Sequence, residues 1–99
     1  MGKPSVADSM KVNDIELGRL YPSRAEVEGV PIFIIKPERI EKRIPYEIFG
    51  KTFFITKKRI SDKPPYPILV GDIKPAYLSE SEIEIFKGQG IDIGGIFSS

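Results

Sequence analysis

Three residues in this chain have the types and spacing of a hydrolytic centre: Asp62, Asp72 and Lys74. Paired carboxylates suit a Mg²⁺ ion, and an amine beside them can help activate a water. Nine residues separate the two acids, and the second opens an Asp-x-Lys triplet at the end of the run Ile68-Leu69-Val70-Gly71-Asp72-Ile73-Lys74. If that run is a strand, Asp72 and Lys74 share a face, because alternate strand residues point the same way. The remaining chemical repertoire is narrow, with no cysteine and no histidine. Disulfides, thiolate metal sites and a cysteine nucleophile are excluded, and the commonest general base and transition-metal ligand are missing. Catalysis would fall to Asp, Glu, Lys, Tyr or Ser, so a non-catalytic role without a cofactor is the leading expectation.

Over the 13 residues from Asp62 to Lys74 the pattern resembles the PD-(D/E)xK nuclease motif. The resemblance implies a minimal Mg²⁺-dependent nuclease, with Asp62 and Asp72 holding the metal and Lys74 activating water. The competing reading is a turn at Gly71-Asp72 and a surface lysine.

A second group of residues points to binding. The net charge of +1 conceals a division along the chain. Residues 36–63 carry nine Lys or Arg (Lys36, Arg39, Lys42, Arg43, Lys51, Lys57, Lys58, Arg59, Lys63) against four acids, a local excess of +5. Residues 64–99 come to −3 and residues 1–35 to −1. Phe49 and Phe54, with Tyr46 and Phe53, are interleaved with the cations. Basic side chains neutralise phosphates and exposed rings stack on bases, so this segment is a candidate surface for nucleic acid or for an acidic protein. The alternative is a solvated strand face whose lysines guard a sheet edge. The pI of 7.9 lies below the range usual for a dedicated nucleic-acid domain.

The element expected to position these cations is a central β-hairpin from Ile44 to Ile60. Both arms are rich in aromatic and β-branched residues, and Gly50-Lys51 between them suits a tight turn with glycine first. That register puts Ile44, Tyr46, Ile48, Phe53 and Ile55 on a core face. Pro45, Glu47, Phe49, Thr52, Phe54 and Thr56 take the other face. Phe49 and Phe54 would then need cover from another element or a second subunit, so a homo-oligomeric or assembly role is also open.

Around the hairpin, residues 1–9 show no periodicity and read as a disordered tail. Met10 is a candidate natural start, which would make that tail vector-derived. Residues 10–99 read as one small domain. Lys11–Leu20 is a short strand or irregular, and Tyr21-Pro22-Ser23 is a turn. Ser23 and Glu26 match a capping box, in competition with a strand from Ala25 to Glu28 that turns at Gly29. Val30–Lys36 is a strand covered on both faces. Pro37–Arg43 is a one- or two-turn helix or a charged connection. Residues 61–67, with three prolines, form a stiff loop, and Ile68–Val70 a short buried strand. Ser79 with Glu82 starts a helix from Glu80 to Lys87, followed by a strand over residues 91–97, with a hairpin turning at residues 88–90 as the alternative.

The fold class is therefore α+β: a mainly antiparallel sheet of four or five strands with one or two short helices. Hydrophobic residues at 40% and charged residues at 29% fit a soluble globular protein. No apolar run reaches membrane-spanning length, and a cytoplasmic location is expected. Abundant Ile, Lys, Arg and Glu without Cys or Trp resembles thermophile usage.

Overall fold

The apolar run Ile32-Phe33-Ile34-Ile35 has no polar side to show to water, and the fold buries it from both directions. A computed structural model describes residues 15–55, 59–61 and 67–97. Its strands are β1 (Tyr21–Pro22), β2 (Glu26–Val27), β3 (Val30–Pro31), β4 (Phe33–Glu41), β5 (Glu47–Phe54), β6 (Arg59–Ser61) and β7 (Ile68–Leu69). Two helices follow, α1 (Glu80–Gly88) and α2 (Ile93–Phe97). Five strands form one antiparallel sheet in the order β1-β4-β5-β6, with β7 also on β5, while β2 and β3 pair separately. This is the expected α+β architecture.

The sheet curls. β7 lies on the outer edge of β5, with Ile48 opposite Ile68. A single 3₁₀ turn, Val70–Asp72, then carries the chain to the free edge of β1. There Ser23 bridges Ile73, Arg24 N–H donates to the Asp72 carbonyl at 2.8 Å, and Lys74 N–H donates to the Pro22 carbonyl at 2.9 Å. Inside the curl lie Ile15, Tyr21, Phe33, Ile35, Ile48, Ile68, Val70 and Ile73. On the outer face Ile34, Phe53 and Ile55 pack with Leu78, Phe86, Ile91, Ile93 and Phe97. Phe33 and Ile35 thus serve one core and Ile34 the other, as expected of a strand covered on both faces. Burial pushes the Tyr21 phenol up from its ordinary 10.0, against the lowering effect of the Glu16 N–H that donates to it.

Ser23 ties the first strand to this frame. Its hydroxyl is fully buried, donates to the Ala25 carbonyl at 2.6 Å and accepts from the N–H groups of Ile32 at 2.9 Å and Phe33 at 3.3 Å. The capping-box reading of Ser23 is therefore not realised, and Tyr21-Pro22 is strand rather than turn. The competing strand reading holds. β2 and β3 meet at Glu28-Gly29, both with positive φ (55° and 80°), as a type I′ hairpin turn requires.

The hairpin between Ile44 and Ile60 exists as β5 and β6, with Phe53 opposite Ile60, but its turn is not at Gly50-Lys51. Residues 47–54 are one strand, and the chain reverses only after Phe54. Ile48, Thr52 and Phe53 pair with Ile40, Ile35 and Ile34 on β4 rather than with one another. Ile44 and Tyr46, expected in the core, lie in the exposed β4–β5 connection, which contains a cis Ile44–Pro45 bond. Phe49 and Phe54 lie on opposite faces. Phe54 packs edge-on to Phe33 at 6.0 Å beside the inner core.

Gly50 is needed for a different reason. Opposite it, β4 carries a β-bulge between Pro37 and Arg39. A Cβ on Gly50 would lie 2.1 Å from the Lys36 carbonyl oxygen and 3.0 Å from the Glu38 nitrogen. The bulge also accommodates Pro37, which has no N–H for a ladder. Residues 37–41 consequently extend β4 instead of forming the expected short helix or connection.

At the C-terminal end the expected helix forms. Ser79 accepts from Glu82 N–H at 3.2 Å, and the Glu82 carboxylate accepts from Ser79 N–H at 2.8 Å, completing a capping box. The helix ends at Gly88, one residue past the expected Lys87, with Gln89 as its C-cap and Gly90 in the left-handed conformation beyond it (φ 91°). Ile91 N–H donates to the Phe86 carbonyl and Gly90 N–H to that of Lys87, a Schellman motif. Residues 93–97, expected as strand, are helix instead: the Asp92 carboxylate accepts from Gly95 N–H at 3.1 Å, and Ile93 and Phe97 fall on one buried face. Lys11–Asp14, most of the proline-rich loop and residues 1–9 lie outside the described residues.

Two substitutions check this account. Gly50→Ala should lower stability by about 2 kcal/mol or more, since rigid backbone on both sides blocks relief. It would be measured as a lower urea midpoint, against a near-neutral Gly71→Ala control, where a Cβ meets nothing within 4 Å. Ser23→Ala takes the hydroxyl acceptor from Phe33 N–H, leaves Ile32 N–H only the Ala25 carbonyl at 3.1 Å, and should cost about 1–3 kcal/mol in the same titration.

Candidate functional site

The bulge at Glu38 decides which β4 side chains meet which on β5. Below it Ile34 faces Phe53 and Lys36 faces Lys51; above it Arg39 faces Phe49 and Glu41 faces Glu47. These pairs share one face of the sheet, the same face that α1 and α2 cover at Ile34 and Phe53. The helices end their cover there. Lys36 marks the boundary, its Nζ 3.5 Å from the carbonyl oxygen of Phe97 on α2. Beyond that boundary the face is polar, with the cations grouped around one ring.

The Arg39 guanidinium lies over the Phe49 ring, 4.1 Å from its centroid. It also pairs with Glu41, whose other carboxylate oxygen is 3.4 Å from Arg43. One acid is thereby shared between two arginines. Arg43 remains 84% exposed, and Lys42 beside it is exposed. At about 3.4 Å per residue, the stretch from Lys51 to the hairpin end at Tyr46 is about 17 Å long. The face is therefore long enough for an extended anion, and on it Arg39 stacks on Phe49 and pairs with Glu41.

Of the residues singled out for binding, Lys36, Arg39, Phe49 and Lys51 come together here, with Lys42 and Arg43 at the hairpin end. Phe54 does not join them. Arg59 belongs to β6 through its pairing with Phe54. Lys57 and Lys58 lie outside the described residues.

For the nuclease-like triplet, Asp62 also lies outside the described residues. Asp72 and Lys74 are described, but Ile68–Lys74 is not one strand, because the 3₁₀ turn at Val70–Asp72 interrupts it. Lys74 forms an ion pair with Glu26, and Asp72 is exposed. Among the described residues no cluster of three Asp or Glu is placed to hold a metal ion. No described helix is long and apolar enough to cross a membrane.

Two participants escaped the sequence reading. Glu41 bridges the arginines, which its two-residue spacing from both Arg39 and Arg43 on a strand could have signalled. Ile44, assigned to the core, is 91% exposed at the hairpin end. No family model, curated protein or solved structure matches this chain.

The Arg39–Phe49 stack is open to a double-mutant cycle. Arg39→Ala and Phe49→Ala, singly and together, should show a coupling of about 0.5–1 kcal/mol in urea unfolding, the range for an exposed cation–π pair. Strictly additive effects would remove Phe49 as the element that holds the guanidinium.

Proposed function

We propose that this chain is a non-catalytic nucleic-acid-binding module that holds the phosphate backbone with Lys36, Arg39 and Lys51, extended by Lys42 and Arg43. The observation that carries this reading is the register of β4 on β5. It sets Lys36 directly opposite Lys51, one step from a guanidinium fixed on Phe49. Arg39 covers one face of Phe49, and Phe54 contributes to the core, so phosphate contact rather than base stacking should dominate. That fits a modest overall charge, because the binding field is local and not a property of the whole chain.

Fluorescence anisotropy of labelled single- and double-stranded DNA and RNA tests the proposal. If about four phosphates are neutralised, affinity should fall roughly 100-fold between about 50 and 200 mM salt. Lys51→Glu with Lys36→Gln should weaken binding at least about tenfold and flatten the salt slope, with the thermal melt monitored to verify folding. No binding at low salt overturns the proposal. A probe shortened in Mg²⁺, when recovered on a gel, overturns its non-catalytic part.

A further inference from the structure

The β4–β5 connection, residues 42–46, reads Lys-Arg-Ile-Pro-Tyr, and all five residues are exposed. A single exposed isoleucine is ordinary on a protein surface. Ile44 differs in its surroundings. It is 91% exposed at the end of a ribbon, next to Pro45, preceded by two cations and followed by Tyr46, itself 37% exposed. Behind it the same face carries the Glu41–Glu47 pair, with Glu41 shared by Arg39 and Arg43, and then Arg39 over Phe49 and the Lys36–Lys51 pair. An apolar point on a basic ribbon is suited to an anionic polymer with an apolar interior that can be entered from the side.

We propose that the partner is duplex DNA and that Ile44, backed by Pro45, inserts between base pairs from the minor groove while Lys42 and Arg43 hold the flanking phosphates. The inference rests on the nucleic-acid reading above and narrows it to a deformable double helix. Apolar wedges of this kind unstack a base step and bend the duplex, and flexible pyrimidine–purine steps accept them most readily. Two features favour DNA over an anionic bilayer. Ile44 is the one strongly exposed aliphatic residue of this connection, too little for anchoring in a membrane. The cations lie at the tip and again from Arg39 to the Lys36–Lys51 pair, beyond the Glu41–Glu47 pair, so they are spread along the ribbon, whereas a planar surface would be met by a ring of charge around the tip. RNA duplexes are disfavoured because their minor groove is wide and shallow and gives a wedge little to grip.

The test uses the full chain and a short duplex with a central TA step, 2-aminopurine at that step and a donor–acceptor pair at its ends. Binding should raise 2-aminopurine emission severalfold and shorten the end-to-end distance. Ile44→Ala should abolish both signals while anisotropy-measured affinity falls less than about tenfold, because the phosphate contacts remain. Ile44→Leu should retain both. The side chain is almost wholly exposed, so the thermal melt should be unchanged in each variant. Unaltered emission and bending in Ile44→Ala overturn the wedge, as does Ile44-dependent sedimentation with phosphatidylserine vesicles. Duplex binding with neither signal in the parent protein overturns the wedge alone and leaves phosphate binding standing. Absence of binding to every nucleic acid overturns the reading beneath it.

Discussion

The contact on which this architecture turns is the approach of the Lys36 carbonyl to Gly50, where any Cβ would sit 2.1 Å away. The β-bulge at Glu38 places the chain that close, and it inserts one residue into β4. Without that residue, strict alternation from Phe33 and Ile35 would send Arg39 into the curl of the sheet and Ile40 outward. With it, Ile40 stays with the inner core and Arg39 is delivered to the opposite face, onto Phe49. A glycine thus allows the chain to keep its apolar residues inside and its cations aligned outside along a nine-residue strand.

The same glycine explains the main misreading of the sequence. Gly-Lys between two aromatic, β-branched runs has the local form of a tight hairpin turn, and nothing local distinguishes that from a close backbone approach to another strand. The partner that decides the matter, Lys36, lies fourteen positions earlier. Features satisfied locally were legible: the capping box at Ser79 and Glu82, the two-sided burial of Ile34 and its neighbours, and, as one of two competing readings, the turn at Gly29. Features set by long-range pairing were not. Pro37 suggests a helix start, but β5 draws it into a strand. Ile91 and Ile93 alternate as a strand would, yet Asp92 caps a helix whose Ile93 and Phe97 complete the outer core.

The candidate site was half legible for the same reason. Counting charge located the basic segment, because charge is additive along a chain. Which cations share a face depends on register, and register depends on the bulge. Lys36, Arg39, Phe49 and Lys51 converge as a result, while Phe54, five positions along a continuous strand from Phe49, faces the other way and joins the inner core.

The sheet also outgrows its helical cover. α1 and α2 reach only as far as Ile34 and Phe53, and the next three cross-strand pairs on that face are Lys36–Lys51, Arg39–Phe49 and Glu41–Glu47. Solubility alone requires those positions to be polar, and alternating signs across the strands would meet that need more cheaply than matched ones. The last pair matches two acids, and there the cost is reduced by Arg39 and Arg43, which both pair with Glu41. That acid lies between two arginines and steadies them, while the ring beneath Arg39 fixes its plane. Under the proposed function, a guanidinium held on that ring would meet a phosphate already oriented.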